Sequence, residues 1–315
     1  MKRAQRGVAL VIVLWVSVLL TVIASSFIVE RRTEFLVVSN SAALARAEAA
    51  ANAGVMLAVQ QLYRSDNDKE KWQKDGGVHD WSFEGIPVRV EIRDESAKID
   101  INTAAEPLLR GLLVSSGLQE DEATRLLDAI IDWRDPDSLK RPQGAEEADY
   151  RAAGLPYKPA NAPFQAIEEL QLVLGMRPDL YRRLAPSITV FSRQVGINPQ
   201  QASREVLLAL PNMTPQVVDE YIAQREAARL AGQPLPAFPQ AGALAAGTSM
   251  IASIRSEARM EDGVSFMREA AALLRPAPRR PVTFIAWRES TAALPQNADA
   301  AAAAANPNTP IPVTR

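Results

Sequence analysis

Residues 6–32 read RGVALVIVLWVSVLLTVIASSFIVERR. From Val8 to Val29 no residue is charged, and only Ser17, Thr21, Ser25 and Ser26 break the apolar run. A helix rises about 1.5 Å per residue, so this run spans roughly 33 Å, enough to cross the hydrocarbon core of a bilayer. Charge returns abruptly at Glu30-Arg31-Arg32.

On the N-terminal side, residues 1–7 form a short leader with Lys2, Arg3 and Arg6 that ends in Gly7. Cations ahead of an apolar span favour a cytoplasmic N-terminus, although Arg31 and Arg32 behind it reduce the asymmetry. A cleaved secretory signal is the alternative, but Ala24-Ser25-Ser26 offers a poor small-residue cleavage pattern. On the C-terminal side, residues 30–63 hold no proline and one glycine, Gly54, among alanines and other good helix formers. Phe35, Val38, Ala42, Ala45, Ala49, Ala53, Met56, Val59 and Tyr63 recur at threes and fours and predict one apolar face. The reading is one helix from Val8 to Tyr63, with residues 8–29 in a membrane and residues 30–63 packed on a domain outside it.

Beyond the helix, residues 65–80 read as a polar loop. Val88, Val90 and Ile92 alternate with Arg89, Glu91 and Arg93, as in a strand with one wet face. Lys98-Ile99-Asp100-Ile101 is a candidate partner for that strand. Residues 102–230 are helical by pattern, and residues 233–247 are rich in proline, alanine and glycine, as in a linker. Strand character returns at 250–260 and 282–288, with 264–274 open to either strand or helix. The domain plan is therefore a sheet from 81–101 and 248–289, a helical insertion at 102–230, and an alanine- and proline-rich tail at 290–315 with little to bury.

Composition narrows the chemistry. Acidic residues number 37 and basic residues 35, for a net charge of −2, which excludes a polybasic nucleic-acid coat. Zero cysteines exclude disulfides and thiolate metal sites, and a lone histidine, His79, excludes a multi-histidine zinc site and, set in a polar loop, carries no catalytic argument. The chain reads as a non-enzyme. Its mean hydropathy of −0.09 conceals the concentration of apolar residues at the N-terminus.

Two stretches repeat. Ile101-Asn102 and Ile197-Asn198 each open a helix, turn, helix unit that ends near an arginine. Such units resemble helix-hairpin-helix or SAM-like modules, some of which bind DNA backbones. That use needs glycine-rich hairpins whose amides face phosphate. Here the hairpins read Ser115-Ser116-Gly117-Leu118 and Pro211-Asn212-Met213-Thr214, and the insertion is acidic, so packing modules are the better reading. A membrane-anchored DNA receptor of the competence type stays as the alternative function. Thr103 and Glu106 have capping-box spacing for the first helix of the insertion.

Carboxylates crowd one loop: Asp132, Asp135 and Asp137, then Glu146, Glu147 and Asp149. Taking Asp135 as position 1 puts Asp137 at 3 and Glu146 at 12, as in an EF-hand, but Leu139 and Lys140 occupy positions 5 and 6, where a ligand and a glycine belong. The residues therefore leave two readings open, an irregular loop for a hard cation or a solvated acidic loop paired with Arg134, Lys140 and Arg141.

The basic leader ending in glycine, followed by an apolar helix that continues as an amphipathic one, resembles type IV pilins and pseudopilins. That resemblance implies an α+β, type IV pilin-like fold with a long N-terminal helix on an antiparallel sheet. It also implies cleavage by a prepilin peptidase between Gly7 and Val8, with methylation of the new terminus. Pilin-like subunits carry glutamate at the fifth mature position, which here is Ile12. The missing glutamate, the long insertion, and the stretches Asp132-Trp133…Asp135…Asp137 and Pro159-Ala160-Asn161-Ala162-Pro163-Phe164 resemble the protein K class of pseudopilins in the general (type II) secretion pathway. The resemblance implies calcium on Asp135, Asp137, Glu146 and Asp149, with Asp132 and Glu147 as lesser candidates. It further implies a single-pass bacterial inner-membrane protein with a periplasmic domain, capping a pseudopilus tip and aiding export of folded proteins. Its implied partners are I- and J-type minor pseudopilins, the prepilin peptidase, the inner-membrane secretion platform and the lipid bilayer, with no nucleic acid.

Overall fold

The structure, a computed structural model, describes residues 6–65, 68, 70–239, 249–275, 282–290 and 294. Most of the leader and all of the tail apart from Ser290 and Leu294 lie outside these residues, as do residues 240–247 of the expected linker. The chain opens with α1 (Arg6–Leu62), a single helix of 57 residues. Five strands follow in one antiparallel sheet of order β1-β2-β5-β6-β7: β1 (Asp75–Phe83), β2 (Ile86–Asp94), β5 (Ile251–Arg259), β6 (Ser265–Leu274) and β7 (Val282–Glu289). Residues 264–274, open in the sequence, are thus strand, because their alanines and Phe266 fit the half-buried pleat beside β5.

Helix α1 seats on the sheet through Ala47, Ala50, Ala51, Gly54, Val55 and Ala58. This corrects the expected face. Phe35 (71% exposed), Val38 (68%) and Met56 (48%) point away from the sheet. Small residues won the contact because they let the helix approach closely. A Cβ on Gly54 would overlap Ser256 Oγ and stand 2.8 Å from Val88 Cγ1. Around the seat, Val88, Val90, Ile92, Ile254, Phe266 and Ala270 close one hydrophobic core.

Two further expectations change. Residues 75–80 are strand rather than loop, since β1 gains its backbone partners from β2 despite a polar sequence with an irregular register between Asp75 and Val78. Ile99-Asp100 does not pair with β2. It forms β3 (Ile99–Asp100), which runs parallel to β4 (Ile188–Thr189) at the base of the insertion.

The insertion separates β2 from β5, which are hydrogen-bonded neighbours, so it leaves and re-enters the middle of the sheet. It contains α2 (Glu106–Ser115), α3 (Glu120–Arg134), α4 (Glu147–Ala152), α5 (Pro178–Leu184), α6 (Arg204–Leu208) and α7 (Pro215–Leu230). These helices enclose a second core built on Leu108, Leu112, Leu127, Ile130, Trp133, Tyr150, Phe164, Leu207 and Tyr221. Trp133 stacks on Phe164 with centroids 6.1 Å apart and lies near Tyr150 at 6.0 Å, a packing role.

Candidate functional site

Helix α3 carries Asp128 and Asp132 one turn apart on its buried side and ends at Asp135. The loop that follows folds back over these carboxylates. Arg141 N–H donates to Asp132 Oδ1 at 3.2 Å, and the Arg141 side chain ties Asp128 (2.9 Å) to Glu106 (3.0 Å). Gln143 N–H donates to Asp128 Oδ2 at 3.1 Å. The chain then passes so close to Asp132 that a Cβ on Gly144 would overlap its Oδ2, which accounts for glycine there. Two residues on, Glu146 heads α4, with its amide donating to Asp149 Oδ2 at 2.9 Å.

Three of the sequence candidates, Asp132, Asp135 and Glu146, lie within electrostatic reach of one another. Burial pushes the Asp132 carboxyl up, helped by the charges of Asp135 and Asp128 and opposed by amide donors from Arg141 and Ala145. Asp135 is raised by burial and by Asp137. Burial and the charges of Asp132 and Asp135 raise Glu146. Asp135 Oδ1 and Glu146 Oε1 are buried and accept no hydrogen bond. Asp137 stands at the margin, with Oδ1 accepting from Leu139 N–H at 2.7 Å.

The other two turn elsewhere. Asp149 is held below the usual carboxylate range by Lys140, whose ammonium lies 2.5 Å away, and by the Glu146 amide. Glu147 pairs with Arg151 at 2.6 Å. Sequence spacing missed Asp128, which braces the loop from outside the carboxylate run by binding Arg141, a residue the solvated reading had named as a partner. The only signal was Asp128 standing four residues before Asp132, on the same face of α3. Among the described residues no three carboxylates converge as a ready metal cage. The oxygen-only donor set and the two unpartnered buried oxygens nevertheless suit a hard cation.

The paired helical units pack on each other. A Cβ on Gly111 in α2 would overlap the Ala209 carbonyl after α6. Each unit's arginine reaches back to its own opening loop. Arg134 Nη1 donates to the Ile101 carbonyl, and Arg225 Nη1 donates to Pro199 O (2.9 Å) and Ala202 O (2.8 Å). The helix ends do not suit phosphate: α3 begins with Glu120, Asp121 and Glu122, and α7 with Pro215, which lacks an amide hydrogen. The expected Thr103–Glu106 capping box is not formed. Ala105 is the N-cap of α2, Thr103 Oγ1 donates to Gln194 O at 2.8 Å, and Glu106 binds Arg141.

At the other end of the molecule, Gly7 and Val8 fall in the first turn of α1, and Ile12 lies on the helix surface at 56% exposure. Leu10–Ile23 is apolar and exposed throughout. The stretch Glu34–Leu62 is also long and apolar enough to cross a membrane by composition, but 39% of its apolar window is buried, on the sheet side, so it is the seated half.

A family model described as type II secretion system (T2SS), protein K matches residues 90–193, which run from β2 through the acidic loop. The chain is 27% identical over 248 residues to the type II secretion system protein K of Pseudomonas aeruginosa, covering 71% of this chain and 74% of that one. It is 30% identical over 240 residues to the protein of the same name from Aeromonas hydrophila, covering 66% and 72%. Its fold matches a solved chain from the GspK-GspI-GspJ complex of enterotoxigenic Escherichia coli with a TM-score of 0.58 at 18% identity, over 76% of this chain and 94% of that one. Matched across its sheet, insertion and acidic loop, the chain belongs to the type II secretion system protein K family and is a minor pseudopilin of that system.

Proposed function

We propose that the protein caps the tip of a periplasmic pseudopilus, anchored in the bacterial inner membrane by the first half of α1 with its N-terminus in the cytoplasm. The observation that carries this reading is the division of labour on α1. Its alanine face is used up on the sheet, while Phe35, Val38 and Met56 on the opposite face stay exposed as a surface for neighbouring subunits. The insertion between β2 and β5 adds bulk above that helix, which suits an end position. In this reading the fold is pilin-like, the α2/α3 and α6/α7 pairs are helix-hairpin-helix units used for packing, and a prepilin peptidase cuts between Gly7 and Val8 and methylates the new terminus. Ile12 offers no carboxylate to the terminal amine of a subunit beside it. The secretion platform of the inner membrane is where such a subunit would assemble.

The structural neighbour's complex pairs its chain with GspI and GspJ, and this protein's partners are proposed to be the corresponding I- and J-type pseudopilins. Co-expression of the tagged full chain with both siblings, followed by capture and mass measurement, is expected to yield one complex of defined stoichiometry. Capture of neither sibling would overturn the reading.

Calcium is the proposed ligand of the acidic loop. Asp132, Asp135 and Glu146 would hold it, with Asp137 closing in and Asp149 first having to leave Lys140. The ion would supply positive charge that neutralises crowded carboxylates and fixes the loop against α3. It has no catalytic part.

A further inference from the structure

We propose that the cleft between α3, the start of α5 and the back of the acidic loop is a binding site for the C-terminal residue of another protein, one that ends in an aliphatic side chain and a free carboxylate.

The cleft encloses about 270 Å³. Leu118, Leu126, Ala129, Ala145, Leu174 and Leu180 give it an aliphatic lining, and Glu122, Arg125, Gln143 and Arg177 supply the polar groups. Ligand sites start at about 300 Å³, so the cleft stands at the small end of the range. It has room for one side chain with its terminal group, and none for a nucleotide or a folded segment.

The walls are set by the fold before any ligand arrives. On α3 the lining residues 122, 125, 126 and 129 are spaced by threes and fours, so one stripe of the helix enters the cleft. This stripe runs from charged and exposed at Glu122 and Arg125 to apolar and buried at Leu126 and Ala129. On the acidic loop, Gly144 is pressed against Asp132, and the Gln143 amide is held by Asp128 at 3.1 Å. Across from it, Leu174 N–H donates to the buried Tyr150 hydroxyl at 2.9 Å. Gly175 then turns the chain with φ +92°, a conformation that favours glycine, and passes close to Leu126.

Charge selects the ligand. Arg125 is exposed and forms no ion pair among the described residues. Arg177 has Asp179 at 3.8 Å with both side chains about half in water, a pairing that contributes little. Two arginines and Glu122 leave one net positive charge around the cleft. That matches a single carboxylate, which a guanidinium can bind through two parallel hydrogen bonds. A phosphate dianion would bring a second negative charge against Glu122. The Gln143 side chain makes no hydrogen bond among the described residues, and its carbonyl can accept the peptide N–H of the last residue, a group that a fatty acid lacks. An internal peptide segment has no carboxylate to offer the arginines.

The test is a titration of the full chain in nanodiscs with N-acetyl-alanyl-leucine, followed by ligand-observed NMR. Saturable binding is expected, with the C-terminal amide of the same peptide at least tenfold weaker. Arg125→Ala and Arg177→Ala are each expected to weaken binding at least fivefold with an unchanged melting midpoint, since both side chains are exposed. Absence of saturable binding would overturn the proposal, as would equal binding of the amide. Undiminished binding by the variant that carries both substitutions would also overturn it. So would tighter binding of inorganic phosphate or of octanoate, which would make the cleft a general anion or fatty-acid site. The tip reading is independent of every one of these outcomes, because sibling capture tests it separately.

Discussion

Asp135 and Glu146 show how much of the acidic loop could be read residue by residue. Their crowding was legible, because like charges packed into one loop need either solvent or a cation. What spacing could not give was which oxygens would be left without a donor, since that depends on Arg141 and Gly144 bringing the backbone over Asp132. It also could not show that Lys140 would take Asp149 out of the group. The pH behaviour follows from the raised carboxyls. A carboxyl whose folded pKa lies above its unfolded value binds its proton more tightly when folded. Stability therefore rises as pH falls through the interval between the two, and the penalty returns towards neutrality. In chelator, the melting midpoint of the wild type is expected to rise as pH falls from neutrality towards the ordinary carboxylate range, and Asp135→Asn should flatten that rise. Calcium needs the ionised oxygens, so in its presence the slope should invert and Asp135→Asn should lower the midpoint instead of raising it. Calcium-insensitive melting curves in both proteins would remove the cation from the loop.

At the scale of elements, the long helix, the strands β2 and β5 and the insertion were legible from periodicity, whereas the helix face was not. Hydrophobic pattern favours the bulkiest stripe, and here the sheet took the smallest one. The bulky stripe of α1 stays exposed, left in the proposed assembly for neighbouring subunits, so no pattern internal to the chain could rank it correctly. Strand β1 was missed because an edge strand needs only backbone partners, and Asp75-Gly76-Gly77 hides that behind turn-like composition. The close seat of α1 makes a prediction of opposing magnitudes. Gly54→Ala gains about 1 kcal/mol of helix propensity but forces a methyl against Ser256 Oγ and Val88, and overpacking costs about 1–3 kcal/mol. The net effect on urea unfolding is expected to be a loss of stability. Ser256 Oγ is buried without a partner, so Ser256→Ala alone should be close to neutral and should recover part of the Gly54→Ala loss in the double variant. Stabilisation by Gly54→Ala alone would mean that the helix does not sit this close to β5.

For the whole molecule the question is what joins two separate hydrophobic cores. The insertion is joined to the sheet by a seam of buried carboxylates. Asp94 pairs with Lys74 at 2.7 Å and accepts from the Ser249 amide at 3.0 Å, which ties the start of the insertion to the approach of β5. Glu95 accepts from Lys98 Nζ at 2.9 Å, from Ser253 Oγ in β5 and from Thr189 Oγ1 in β4, so one side chain bonds the sheet, the connection and the insertion. The Asn198 amide donates to Ser96 O at 2.7 Å, and Arg288 of β7 reaches Glu168 of the insertion at 2.5 Å. The pairings that cross the seam have no sequence signature, because their partners lie about 90 to 160 residues apart and come together only after both cores have formed. Removing Glu95 leaves an ammonium and two hydroxyls without their acceptor in a site that water barely reaches. Breaking a buried ion pair in this way costs about 3–5 kcal/mol. Because each side of the seam keeps its own core, the loss should fall on the coupling between them. Calorimetry of the full chain in detergent is expected to show one unfolding transition for the wild type and two for Glu95→Ala, with Glu95→Gln between them, since its amide still accepts from Ser253 or Thr189. A single unshifted transition in Glu95→Ala would place the coupling elsewhere in the seam, at Asp94 or Arg288.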